Sequence, residues 1–114
     1  MTNRLKIDEH DSGATSVVRP QGDVDLAVSQ DLRRVLLARV QAGRDVLIDM
    51  SGVAYIDSSG IASLIEAFQT ARQKNQRFAL AAVPERAQRV LKLARLDRVL
   101  PMMAAVDPSF GDPA

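Results

Sequence analysis

The sequence predicts an α/β domain in which amphipathic helices pack against a mixed sheet of four or five strands. From residue 46 onward, short apolar runs alternate with stretches of helical periodicity, an order typical of parallel strands joined by crossover helices. Before that point, two extended segments are separated only by the turn-like sequence HDSGA, which favours an antiparallel hairpin. A sheet with both kinds of pairing is mixed.

The strands are predicted from short runs rich in apolar and β-branched residues. The run from Val46 to Ile48 is continuous and apolar, as expected of a strand covered on both faces. Pro20 fits a strand end or edge better than a strand centre, because proline cannot donate a ladder hydrogen bond. The predicted strands are residues 5–9, 15–20, 46–48 and 78–83, with a candidate fifth strand at Val99 and Leu100.

Three helices are predicted from apolar residues that recur at helical spacing. The first begins near Ala27 and is ended by Gly43, because glycine is common just after a helix C-terminus. The second follows the sequence YIDSSG, and the third has Pro84 in its first turn, where proline is well tolerated. Their predicted inner faces are Leu32, Val35, Leu36 and Val40; Ile61, Leu64, Ile65, Phe68 and Ala71; and Ala87, Val90, Leu91 and Ala94.

The length of 114 residues is enough for one domain with its own hydrophobic core. We predict a single domain over residues 1–106 and a flexible tail over residues 107–114, whose sequence DPSFGDPA is rich in proline, glycine and charge. No apolar stretch approaches the roughly 20 residues that span a bilayer, and the sequence MTNRLKIDEH lacks the apolar core of a signal peptide. The chain has no cysteine. A soluble, cytoplasmic protein is expected.

The formal net charge of +1 conceals an uneven distribution of charge. Residues 1–31 carry three basic and six acidic side chains, whereas residues 72–98 carry eight basic and two acidic ones. In a helix, basic residues at intervals of three would follow one slowly drifting face. That face is either simply solvated or a site for an acidic partner or membrane surface. Four aromatic residues and no recognised motif argue against nucleic acid. The basic residues are Arg86, Arg89, Lys92, Arg95 and Arg98.

The sequence contains no convincing catalytic, metal or cofactor motif. The only histidine, His10, lies in the predicted turn, and Ser58 and Ser59 are not in a G-x-S-x-G elbow. Phosphate-binding motifs for nucleotides are absent. Asp23 and Asp25 could serve acid–base or metal chemistry, but turn formation or helix capping is the more ordinary role for such a pair. We therefore predict a non-enzymatic protein without a cofactor.

The sequence YIDSSGIASL places one carboxylate and two hydroxyls where an extended segment meets a helix. The first backbone N–H groups of a helix lack intrahelical partners, and either Asp57 or one serine suffices to cap them. A second hydroxyl is then free for phosphorylation, which would add a charge of about −1.5 to −2. The helix N-terminus would tolerate that charge, but a partner docked over the turn would not. The turn is thus either a switch or only a cap.

The sequences GDVD at 22–25 and VLIDMSGVAYIDSSGIASL at 46–64, with the strand and helix that follow, resemble the STAS domain. The resemblance is strongest to the bacterial anti-sigma factor antagonists and extends to about residue 100. It implies that Ser58 is phosphorylated by an anti-sigma factor that is itself a serine kinase. It also implies that the unphosphorylated form binds this kinase and so frees the sigma factor, and that a phosphatase removes the phosphate. The implied partner-binding residues are Asp25, Asp57, Ser58, Ser59 and Gly60.

One position departs from the pattern of that family. Phosphoregulated members often read Asp-Ser-Ser-Gly-Leu-Gly, whereas this chain has Ala62 in place of the last glycine. The added methyl group would restrict the close approach of a partner backbone. STAS domains also occur as small cytoplasmic subunits of lipid-transporting ABC systems, bound to the ATPase. That role is the alternative to the sigma-factor pathway.

Overall fold

The computed structural model describes residues 6–110, which form three helices and six strands. The strands are β1 (Lys6–Ser12), β2 (Thr15–Val24), β3 (Asp45–Asp49), β4 (Val53–Ile56), β5 (Phe78–Ala81) and β6 (Met102–Met103). The helices are α1 (Leu26–Gln41), α2 (Ser58–Gln73) and α3 (Glu85–Leu93). The described part of the chain therefore alternates between strand and helix from β2 onward, apart from β4.

The strands form one mixed sheet in the order β1-β2-β3-β5-β6, with β4 paired to β2. Only β1 and β2 are antiparallel, and Gly13 and Ala14 alone connect them. Gly13 has a φ of +60°, a conformation that glycine adopts without steric cost. All other pairs are parallel. The predicted α/β class with a mixed sheet is confirmed.

The hydrophobic core lies between the sheet and the three helices. The strand residues Val18, Ile48 and Leu80 stand side by side on this face and are fully buried. All three helices contribute to the same cluster. Its fully buried helical residues include Leu32, Leu36 and Val40 of α1, Leu64 and Ala67 of α2, and Leu91 of α3.

The opposite face of the sheet carries a smaller apolar cluster formed by Leu47, Ala79 and Ala81. Met103 and Phe110 pack against these residues, and the hydroxyl of Thr15 donates a 2.8 Å hydrogen bond to the carbonyl of Pro108. Residues 107–110 of the predicted tail thus lie against the sheet. Residues 1–5 and 111–114, which hold the rest of that tail and the predicted strand start at Leu5, are outside the described residues.

The hairpin differs in detail from the prediction. His10 lies in β1 opposite Val17 and not in a turn, because β1 continues to Ser12. β2 likewise runs past Pro20 to Val24. Proline is accommodated there because β3 pairs only with residues 15–18, so that at Pro20 the strand has β1 as its partner.

The C-terminal elements also differ from the prediction. The last strand is Met102–Met103 and not Val99–Leu100, because residues 97–100 form a turn whose Leu100 side chain enters the core. Ala94 is exposed and follows the end of α3, so it does not belong to the inner face of that helix. The segment Val53–Ile56, predicted only as extended, is the sixth strand. None of the helices within residues 6–110 is long and apolar enough to cross a membrane.

The packing of α2 can be tested with adjacent residues. Leu64 is 0% exposed, whereas Ile65 is half-buried at the margin of the core. Leu64→Ala should lower the free energy of unfolding by about 2–5 kcal/mol, because it leaves a cavity. Ile65→Ala should cost clearly less. Urea denaturation of both variants is the measurement, and a larger loss at Ile65 would show that the register of α2 is wrong.

Candidate functional site

The candidate site lies where two adjacent parallel strands end and two helices begin. Val24 at the end of β2 is paired with Ile56 at the end of β4. The next residues, Asp25 and Asp57, are the N-caps of α1 and α2 respectively. The backbone N–H of Asp57 donates a 3.2 Å hydrogen bond to the carbonyl of Val24, which ties the two strand ends together. Two helix N-termini therefore emerge side by side from one edge of the sheet.

Asp57 is the side chain that caps α2. Its Oδ1 accepts hydrogen bonds from the backbone N–H groups of Ser59 at 3.0 Å and Gly60 at 3.2 Å, and from the Ser59 hydroxyl. The hydrogen bond from the Ser59 side chain, helped by the two backbone N–H groups, lowers the pKa of Asp57 below its ordinary value, against the opposing effect of burial. The carboxylate is thus ionised and fixed, and neither serine is needed as the cap.

The two serines of the turn have different surroundings. Ser59 is half-buried, and its hydroxyl is held by Asp57. Ser58 is the first residue of α2, is exposed, and forms no side-chain hydrogen bond with any residue between 6 and 110. Of these two hydroxyls, that of Ser58 alone is accessible and, within residues 6–110, without a structural task.

Two further aspartates lie close to this turn. Asp25 is exposed and caps α1 by accepting a 3.2 Å hydrogen bond from the N–H of Val28. Asp23 is exposed and stands opposite Tyr55 in the pairing of β2 with β4. Because paired strands are about 5 Å apart, the surroundings of Ser58 are acidic. Over the described range, no three histidine or acidic side chains form a group that could hold a metal ion.

Gly60 has a packing role in the site. It is buried, and a Cβ atom at this position would lie 2.7 Å from Cγ1 of Ile56 and 2.8 Å from Cγ1 of Val24. Such contacts are too short for any side chain, so the first turn of α2 approaches β2 and β4 closely only with glycine here. Gly60 therefore acts on the site by positioning the turn that carries Ser58.

Several features of the site were not predicted from the sequence. The hydroxyl of Ser63 donates to the carbonyls of Ser29 and Ser59, both at 3.1 Å, and so joins α2 to α1. Leu26 and Tyr55 are 66% and 51% exposed, directly after Asp25 and two residues before Asp57 respectively. A large apolar residue beside each capping aspartate was the available sequence signal for an apolar surface around Ser58.

Nearly all of the described domain matches a known protein family. The family model of the STAS domain matches residues 5–108. The chain belongs to the STAS domain family. Among solved structures, this STAS domain is similar to an anti-sigma factor antagonist from Mycobacterium paratuberculosis, with a TM-score of 0.82, 23% identity, and coverage of 90% of this chain and 88% of that one.

Two further structures have the same fold as this STAS domain. One is the Bacillus cell fate determinant SpoIIAA in its phosphorylated form, with a TM-score of 0.69, 15% identity, and coverage of 90% of this chain and 91% of that one. The other is a sulfate transporter family protein from Wolinella succinogenes, with a TM-score of 0.74, 16% identity, and coverage of 89% and 85%. The same fold thus occurs in different kinds of protein.

The capping role of Asp57 predicts a specific pH dependence. The pKa of Asp57 is lower in the folded chain than in the unfolded chain, where it is about 3.9. Its contribution to stability is therefore present above that pH and is lost as the pH falls through the folded value. Asp57→Ala should cost about 0.5–2 kcal/mol at pH 7 and progressively less below pH ~4.

Two controls separate capping from a general effect of charge. Asp57→Asn should keep most of the stability at pH 7, because asparagine is also a good N-cap. Asp23→Asn should change little, because Asp23 forms no side-chain hydrogen bond with any described residue. Urea denaturation between pH 2 and 7 gives the comparison. A loss on Asp57→Ala that is independent of pH would contradict the assignment of the ionised carboxylate as the cap.

Proposed function

We propose that this STAS domain is a cytoplasmic anti-sigma factor antagonist. In this proposal it binds an anti-sigma factor that is also a serine kinase, and phosphorylation of Ser58 by that kinase ends the complex. The observation that carries the proposal is the accessible Ser58 hydroxyl, which has no hydrogen-bond partner in the described structure although it lies in a fully organised turn. The fold shared with an anti-sigma factor antagonist and with a phosphorylated SpoIIAA supports it.

The site suits a reversible change of charge. A phosphate on Ser58 would carry about −1.5 to −2 charges next to the N-termini of α1 and α2, which favour anions. The fold should therefore tolerate it. In a complex, however, the same charge would be desolvated beside Asp25 and Asp57, and a partner that fits the neutral hydroxyl would be repelled. Phosphorylation thus acts on binding and leaves the fold intact.

The residues around Ser58 divide into two groups in this proposal. Asp57 and Ser59 hold the turn, and Gly60 sets its position, so they act on the partner indirectly. Asp25 and the Ser58 hydroxyl face solvent and would contact the partner directly. Ala62 is also exposed and lies one helical turn beyond Ser58, so the partner must leave room for its methyl group. The chemistry is supplied by the kinase and by a phosphatase that removes the phosphate.

A second candidate function is that of a STAS subunit of a lipid-transporting ABC system, bound to its ATPase. The shared fold with a sulfate transporter family protein is the observation in its favour. The transporter role does not require a phosphorylatable Ser58. The two functions therefore differ in what they require of that hydroxyl.

The first test is phosphorylation in vitro. Incubation of the purified domain with its anti-sigma kinase and ATP should add one phosphate, and peptide mapping should place it on Ser58. Ser58→Ala should abolish the incorporation of phosphate, whereas Ser59→Ala should still be phosphorylated on Ser58. A phosphate on Ser59 or Ser63, or none at all with an active kinase, would count against the proposal.

The second test compares charge with shape at position 58. Ser58→Asp should weaken binding to the anti-sigma factor strongly, while Ser58→Ala and the neutral Ser58→Asn should bind. Because Asp57 is the cap, Ser58→Ala should alter the free energy of unfolding by no more than about 0.5 kcal/mol. Ser58→Asp should be neutral or stabilising by about 0.3–1 kcal/mol.

Calorimetric titration with the partner and urea denaturation of each variant give these values. If Ser58→Asp binds as tightly as the wild type, the residue is not a charge switch, and the transporter role becomes the better explanation.

A further inference from the structure

The basic stretch of the sequence forms a surface that the proposed function does not use. Its cations are all exposed. Because α3 ends at Leu93, Arg95 and Arg98 lie in the turn after the helix. The prediction of a single helical face is therefore wrong for these two residues. Arg89 pairs with Glu85 at 3.3 Å. Among the five basic residues from Arg86 to Arg98, those whose side chains form no hydrogen bond or ion pair with any residue of the described range are Arg86, Lys92, Arg95 and Arg98.

Three of these cations, Lys92, Arg95 and Arg98, line a groove between α3 and the segment that leads to β6. One part of it, of about 330 Å³, is lined by Glu85, Gln88, Arg89, Lys92, Asp97 and Met102. The other part, of about 500 Å³, is lined by Lys92, Arg95, Asp97 and Arg98. Because the two parts share Lys92 and Asp97, they form one elongated depression, which we call the α3 groove. Two adjoining parts suit a ligand that extends from one into the other.

Arg95 occupies a backbone position that is unfavourable for arginine. Its φ is +59°, in the left-handed region, directly after the C-cap Ala94. The backbone N–H of Leu96 donates to the carbonyl of Leu91 at 2.8 Å, which closes the helix end in the way that usually places glycine at this position. Glycine would relieve the strain, and the Arg95 side chain forms no hydrogen bond or ion pair with any residue between 6 and 110 that offsets it. A role in binding would account for an arginine at a position where glycine is more stable.

An apolar side chain accompanies the unpaired cations. Leu93 lies in the last turn of α3, next to Lys92, and is 86% exposed, although the same helix buries Ala87 and Leu91 in the core. Leu93 lines neither part of the groove, but a ligand that continues from Lys92 over the end of α3 would meet both positive charge and an apolar contact. Acidic polypeptide segments with interspersed apolar residues have both complementary features.

We propose that the α3 groove binds an acidic, extended segment of a partner protein that also carries apolar side chains. A flat anionic membrane fits less well, because the depression is concave and includes the carboxylates of Glu85 and Asp97. Single-stranded nucleic acid also fits less well, since no aromatic side chain lines either part. A peptide can place its own backbone N–H groups against those two carboxylates.

The basic end of the α3 groove lies at the opposite end of the parallel strands from Ser58. Ser58 follows the carboxyl end of β4, whereas Arg95 and Arg98 precede β6 and so lie towards the amino ends of the parallel strands. The proposal that the α3 groove binds an acidic segment does not depend on the proposal that Ser58 regulates binding to an anti-sigma factor. Either proposal can fail while the other stands.

The test uses a short fluorescein-labelled peptide of alternating glutamate and leucine, with an alternating lysine and leucine peptide as its control. Fluorescence anisotropy should show binding of the acidic peptide only, weakened by added salt. Lys92→Glu should reduce the affinity by roughly tenfold or more. Lys74→Glu is the matched control, because Lys74 is also an exposed lysine at a helix C-terminus but lies at the end of α2. It should bind like the wild type.

Arg95→Gly gives the sharpest comparison. It should raise the melting temperature, because glycine adopts the left-handed conformation freely, and at the same time weaken peptide binding, because a cation is lost. Unchanged peptide affinity in both Lys92→Glu and Arg95→Gly would overturn the proposal, as would an equal loss in Lys74→Glu. Sedimentation with phosphatidylserine vesicles in the absence of peptide binding would assign the surface to lipid instead. Displacement of the peptide by low concentrations of inorganic phosphate would contradict the proposal, because it would show that the α3 groove is a simple anion site.

Discussion

The close approach of α2 to the ends of β2 and β4 determines the geometry of the whole site. Gly60 makes it possible, since any side chain there would collide with Val24 and Ile56. With the helix in this position, the Asp57 carboxylate reaches the first free N–H groups of α2, and its own N–H reaches the carbonyl of Val24. Ser58 is then fixed at the surface by its neighbours without taking part in their hydrogen bonds.

The same packing sets the relation between α1 and α2. Ser63 hydrogen-bonds across to Ser29, and Arg33 forms a bidentate pair with Glu66 at 2.7 Å, which lowers the pKa of Glu66. The inner contact is buried, whereas the ion pair is exposed and contributes little to stability. The two N-termini beside Ser58 therefore belong to one directly hydrogen-bonded pair of helices.

The sequence predicts the architecture of this domain well because periodicity reports burial directly. Val46–Ile48 and Leu64 are placed correctly for that reason. Details that depend on tertiary contacts are harder to predict from the sequence. Val53–Ile56 is too short to distinguish from a loop until its pairing with β2 is known, and Leu100 is apolar because it fills the core and not because it lies in a strand.

Three adjacent capping candidates, Asp57, Ser58 and Ser59, are equivalent in sequence, and only the hydrogen-bond geometry separates them. The exposure of Leu26, Tyr55 and Leu93 is likewise a property of the folded surface.

The separation of tasks within the turn also has a kinetic consequence. Residues buried in a helix interface, such as Ser63, become accessible only through local opening, and the rate of their modification is limited by the small population of the opened state. Ser58 needs no such opening, because its hydroxyl already faces solvent and breaks no hydrogen bond when it reacts. The speed of any modification at Ser58 is therefore set by the encounter with the modifying enzyme and by that enzyme's own chemistry, and it is independent of how stable the domain is.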